Sequence, residues 1–215
     1  MSRSRASQNQ VLVALFIGLV IGIAIGVYIS KPQTQAPQQT FSRETIRETV
    51  TITSPGSQET LNYTILIDED YYKELSQWIP RANKSMYVIM YVVKYDPKDP
   101  NDPVNKLLYT LSNLSKRGVD VKVVVDDETY RSYPETIDFM LRNNISVKLD
   151  ESSARTTHTK LVIIDGEVVF FGSHNWTQSA LEKNHELSIM IINRDVANTL
   201  TKYFNKIWSN GRSVV

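Results

Sequence analysis

Residues 85–93 (SMYVIMYVV) are apolar at nearly every position, the pattern of a strand buried on both faces. A sheet containing such a strand has to be covered by helices on each side, and the rest of the chain supplies them. From Leu61 onward, alternating segments predict strands at 63–67, 121–125, 147–149, 159–164, 168–171 and 186–192. A helix over 69–82 places Tyr71, Tyr72, Leu75, Trp78 and Ile79 on one face, and Val104, Leu107, Leu108, Leu111 and Leu114 mark a second that ends at Gly118. A third lies near 134–142, and Val196, Leu200, Tyr203, Phe204, Ile207 and Trp208 line a terminal one. DPKDPNDP, at 96–103, breaks both patterns and reads as a loop. The expected fold class is α/β, a mixed sheet sandwiched between helices.

Ahead of this domain the chain changes character. Residues 11–29 hold 19 positions without a charge, flanked by Arg3, Arg5 and Lys31, and as a helix would reach about 28 Å, close to the hydrocarbon thickness of a bilayer. The expectation is one uncleaved transmembrane helix with residues 1–10 cytoplasmic. A cleaved signal peptide fits less well, because its apolar stretch is shorter and ends at a small-residue cleavage site. The charge asymmetry puts the following domain outside the cytoplasm, as a single-pass membrane protein. Ala14, Gly18, Gly22 and Gly26 recur every four residues and line a helix face suited to pairing. Residues 30–60, rich in Gln, Thr, Ser and Pro, read as a polar stalk, although 44–53 alternates weakly as a strand would. Residues 61–215 are then the folded domain. A length of 215 residues suits one full domain plus extras better than two full-sized domains.

Absence of cysteine excludes thiol nucleophiles, iron–sulfur clusters and Cys-based zinc sites. All three histidines, His158, His174 and His185, fall in the stretch that also carries the polar side chains most suited to chemistry. A three-histidine metal site is disfavoured, because their spacings of 16 and 11 residues fit no helical ligand motif. His158 and Lys160 stand two apart at the start of a strand and leave the same sheet face. An acid/base or nucleophilic ring beside a fixed cation suits a phosphate anion. Asp165-Gly166 makes a tight hairpin turn. Gly172-Ser173-His174-Asn175 forms a strand-end turn whose hydroxyl, amide and backbone N–H groups suit phosphate oxygens. Ser173 and Asn175 are also candidate caps for a following helix. Glu186, on the last strand, is placed to accept a hydrogen bond from an imidazole.

His158-x-Lys160-x4-Asp165-x6-Gly172-Ser173 resembles the signature of the phospholipase D superfamily. The continuation Asn175-Trp176-Thr177, Asn184 and Glu186 is similar to its small single-motif nuclease branch, and the likeness extends over about residues 61–210. The resemblance implies a phospholipase D-like domain with His158, Lys160, Asp165 and Glu186 in the catalytic set, Asp165 in a structural role. It implies Lys160, Ser173 and Asn175 on phosphate, and no metal or other cofactor. It further implies a phosphohistidine intermediate, with a second imidazole protonating the leaving oxygen. One chain holds one such motif, so the implied assembly is a homodimer with a shared site, in which Glu186 orients His158 of its own subunit. His174 and His185 are expected to be bystanders.

The substrate stays open at this level. From Leu61 on, 19 Lys and Arg face 20 Asp and Glu, so no broad basic groove is predicted. The single-motif resemblance favours a nonspecific endonuclease. The predicted anchor is similar to that of the mitochondrial cardiolipin hydrolase branch and favours a phospholipid, although that branch's zinc-binding element is missing here. A membrane-tethered binding module without activity is the third reading.

Overall fold

The computed structural model describes residues 47–54 and 57–214. These belong to one compact unit spanning Glu44–Val215. The predicted anchor at 11–29 lies outside the described residues, and among those described no helix is long and apolar enough to cross a membrane.

The strands are β1 (Arg47–Ser54), β2 (Ser57–Ile67), β3 (Ser85–Met90), β4 (Asp120–Val125), β5 (Ser146–Leu149), β6 (Lys160–Ile164), β7 (Val168–Gly172), β8 (Leu187–Ile192) and β9 (Arg212–Ser213). They form one sheet in the order β1-β2-β8-β7-β6-β3-β4-β5-β9. Only β3, β4 and β5 run parallel to one another, and the remaining pairs are antiparallel. The mixed sheet expected from the sequence is therefore present. The helices are α1 (Asp70–Trp78), followed by a 3-10 turn at Ile79–Arg81, then α2 (Pro103–Lys116), α3 (Asp127–Ser132), α4 (Pro134–Arg142), α5 (Gln178–Glu182) and α6 (Arg194–Asn210).

The expected stalk over 30–60 is too long. Its final part belongs to the sheet: Arg47 pairs with Thr64 and Ser54 with Ser57 in an antiparallel hairpin. The run Thr49-Val50-Thr51-Ile52-Thr53 is β-branched throughout, which favours an extended backbone even where the sequence is too polar to form a core.

Local chemistry accounts for the helix starts. Asp102 accepts from Val104 N at 2.7 Å with Pro103 behind it, Asn193 accepts from Asp195 N and Val196 N at 2.9 Å, and Gly118, at φ +86°, ends the second helix as its position predicts. α5 is capped by the Thr177 hydroxyl, which accepts from Ala180 N, and not by Ser173 or Asn175.

Both faces of β3 and β6 are buried, as residues 85–93 require. Met86, Val88, Met90, Val162 and Ile164 pack toward α1 and α2, whereas Ile89, Leu161, Ile163 and Val169 meet Ala197 and Phe204 of α6. Near the site end, α6 leaves the second face partly uncovered. Ile67, Leu187 and Phe171 remain exposed there, Leu187 at 58%. Register places all three on one face, since Ile67 pairs with Leu187 and Phe171 with Ile189.

At the other end of β6, Asp165 turns the chain at φ +54°, with Gly166 at +65°. Its carboxylate accepts three backbone N–H bonds from the start of β3: Asn83 at 3.0 Å, Lys84 at 2.8 Å and Ser85 at 2.9 Å. Burial raises its pKa, but these donors outweigh burial and hold the carboxyl below the usual aspartate range. We expect Asp165→Asn, which keeps the turn geometry but loses the charge, to cost about 1–2 kcal/mol at neutral pH. A depressed pKa gives stability that is present above the unfolded value of about 3.9 and is lost as pH falls through the folded one. The gap between urea melts of the two proteins should therefore begin to narrow below about pH 4 and go on narrowing as the pH falls further, and a gap that does not change with pH contradicts the ionised-acceptor role.

Candidate active site

His158 lies exposed in the segment between β5 and β6, and Lys160 opens β6 with its side chain buried. The ammonium sits 3.1 and 3.0 Å from the two ring nitrogens of His158 and donates to the His158 carbonyl at 3.0 Å. Near-equal distances place it across the ring and not along one nitrogen's lone pair. Burial lowers the lysine pKa, and the negative charge of Glu186 works against that shift. The Tyr91 ring packs on His158 at 4.5 Å between centroids, tilted 55°, and Lys160 Nζ stands 5.1 Å from the Tyr91 centroid. Tyr91 N also donates to Thr159 O at 3.1 Å, tying the chain just past β3 to the residue after His158. Nothing near Tyr91 in the sequence marks it. It reaches the site because β3 and β6 are neighbours.

Glu186 does not orient His158. Its carboxylate accepts a short bond from Ser173 Oγ and another from Asn184 Nδ2 at 3.1 Å, and its backbone N donates to Asp68 Oδ1 at 3.0 Å. Ser173 Oγ in turn accepts from Leu187 N at 3.0 Å. The expected carboxylate–imidazole pair is thus a carboxylate–hydroxyl pair, which fixes Ser173 at the end of β7. Asn175 follows with Oδ1 buried and unpartnered among the described residues. Trp176, fully buried, donates its indole N–H to Tyr71 Oη at 3.2 Å, a structural role.

Asp165 leaves the catalytic set. It lies at the opposite end of β6 from His158, across roughly 17 Å of extended chain. Its work is the β3 clamp described above.

His174 is fully buried, stacked on Tyr71 at 4.4 Å. Its Nε2 is 2.8 Å from Asp68 O and its Nδ1 is 2.7 Å from Ser188 Oγ. A carbonyl only accepts, so Nε2 carries the proton and Nδ1 accepts from the serine. Burial lowers its pKa, against the pull of that carbonyl and the nearby charges of Glu186 and Asp68. Neutral and enclosed, it is no proton donor to a substrate. His185 stands exposed at the rim, 3.3 Å from Asp68 Oδ2. No group of side chains among the described residues is arranged to hold a metal ion.

A mixed sheet covered on both faces, with an imidazole–ammonium pair at one strand end, is the architecture of the phospholipase D-like class. The chain belongs to the family described as "Cardiolipin synthase, PLD-like domain", whose model matches residues 75–208. Among curated relatives, a mitochondrial cardiolipin hydrolase of Danio rerio is 34% identical over 95 residues, covering 44% of this chain and 42% of that one. A phospholipase D of Rickettsia felis is 29% identical over 140 residues, 64% of each. The chain thus spans less than half the length of the Danio rerio hydrolase it matches. In fold it is similar to Nuc of Salmonella typhimurium, a phospholipase D family member, with a TM-score of 0.62 at 23% identity, covering 72% of this chain and 98% of that one.

Proposed function

We propose that the chain is a metal-independent phosphodiesterase whose nucleophile is His158. The observation that carries this reading is the exposed imidazole with a buried ammonium within 3.1 Å of both its nitrogens. A ring nitrogen attacks phosphorus, forming an N–P bond as the P–O bond to the leaving group breaks, and an imidazolium gives its proton to the departing oxygen. Water then attacks the phosphohistidine, with the second imidazole as base, releasing a phosphate monoester and free His158. Lys160, the Ser173 turn and the Asn175 amide nitrogen supply charge and donors for the equatorial oxygens.

The second imidazole comes from a second copy of the chain. His174 is neutral and enclosed, and neither it nor His185 has a lysine two residues on. The uncovered apolar strip of Ile67, Phe171 and Leu187 reaches the site end of the sheet and supports pairing there. For substrate, a phospholipid diester is favoured by the names of the sequence relatives, by the apolar 11–29 segment and by the balanced charge. A nucleic acid is the second reading, favoured by the fold match to Nuc over nearly its whole length.

Hydrolysis of a fluorogenic diester in excess chelator tests the activity, and parallel digestion of anionic liposomes, single-stranded DNA and duplex DNA separates the substrates. No turnover on any of these leaves a binding module. Mixing His158→Ala subunits into wild type should lower activity as the square of the wild-type fraction when subunits exchange freely. A linear fall rules out the shared site.

A further inference from the structure

Three buried carboxylates, Asp126, Asp127 and Asp150, gather at the ends of β4 and β5, at 5%, 8% and 0% exposure. Among the described residues one cation meets two of them. Arg212, in the short β9 that follows α6, places Nη2 at 2.7 Å from Asp127 Oδ2 and 3.4 Å from Asp150 Oδ1, and its Nε donates to Asp150 O at 2.9 Å. Asp150 Oδ2 is buried with no partner among the described residues. Burial raises the Asp150 pKa, with the charges of Asp126 and Asp127 behind it and hydrogen bonding from the Thr157 side chain and Arg212 against it.

The cluster frames the segment that carries the nucleophile. At its start, Asp150 N donates to Val125 O at 3.0 Å. Near its end, Thr157 N donates to Asp126 Oδ2 at 2.7 Å, one residue before His158. The other oxygen of Asp126 caps α3 by accepting from Glu128 N at 2.9 Å, and Asp127 is the first residue of that helix. The arginine therefore holds the helix start that presents Asp126 to Thr157, and also holds the strand end from which the His158 segment departs.

We propose that Arg212 is a positioning residue for His158, setting the backbone of the nucleophile by drawing the start of α3 and the end of β5 together. This rests on His158 being the nucleophile, as read above. Nη2 bridges the two carboxylates while Nε holds the Asp150 carbonyl, a fork that a single ammonium cannot reproduce, so lysine at this place should restore the charge but only part of the alignment.

Amide hydrogen exchange and steady-state kinetics on the full chain test this together, using Arg212→Gln and Arg212→Lys. In R212Q the Thr157 amide should exchange at least tenfold faster while amides of β2 and α1 keep their rates. The kcat for diester hydrolysis should drop about tenfold with KM within twofold, and R212K should fall between R212Q and wild type on both measures. Unchanged exchange at Thr157 overturns the proposal, as does an equal loss of protection throughout the domain. If R212Q does not fold, R212K decides by the same two measures. Should the wild type itself hydrolyse no diester, the activity reading fails, and the Thr157 exchange rate still decides for or against positioning.

Discussion

His158→Ala is expected to abolish diester hydrolysis, by at least about 10³-fold, since under the proposed mechanism it removes the nucleophile itself and not a supporting contact. The fold should be nearly indifferent to it. His158 is exposed, and the buried Lys160 ammonium keeps its 3.0 Å bond to the backbone carbonyl of residue 158, which any side chain leaves in place. A stability change within about 1 kcal/mol is therefore expected from urea unfolding, together with an unaltered oligomeric state by sedimentation. Residual turnover close to wild type in such a folded variant would place the nucleophile elsewhere.

Gly172→Ala should have the largest structural effect of any single methyl in the site. A Cβ at this position would stand 2.5 Å from Leu187 O and from Ser188 Cα, and nearer still to Ser188 Oγ. Those neighbours are backbone and a serine already engaged with His174, so β7 would have to part from β8. We expect a loss of about 3 kcal/mol, at the upper end for overpacking, because no flexible side chain is available to yield. Activity should fall with it, as the same separation pulls Ser173 from Glu186 and from Leu187 N. A variant with wild-type stability and wild-type turnover would show that the two strands have slack there.

Elements long enough to display a period are legible in the amino-acid sequence alone. The helix expected from Val104 to Gly118 is observed at Pro103–Lys116, and the strand expected at 121–125 spans Asp120–Val125. α3 and α5, at 6 and 5 residues, are too short to show one, and β9 is two residues held by its partner strand. The site divides the same way. His158 and Lys160 can be paired from sequence because they stand only two residues apart where β6 begins. Tyr91 and Asp126 meet the same segment through neighbouring strands from 67 and 31 residues away, a proximity that only the sheet order creates. Glu186 departs from expectation for a related reason. Its strand is adjacent to that of Ser173, so its carboxylate meets the hydroxyl.

The placement of β2 governs when an active molecule can first exist. Its neighbours in the sheet are β1, beside it in the chain, and β8, with 119 residues between the end of β2 at Ile67 and the start of β8 at Leu187. Asp68, just past β2, receives Glu186 N and His174 Nε2, so both ends of that long interval contribute to the site wall. During synthesis the parallel unit of β3 and β4 with α2 can close over short chain distances, while the β1–β2 hairpin waits with one edge unpaired. It stays a ready partner for other strands until residue 192 has emerged. The wall of the candidate site is thus incomplete until β8 pairs, and the exposure to misassembly falls in that same interval.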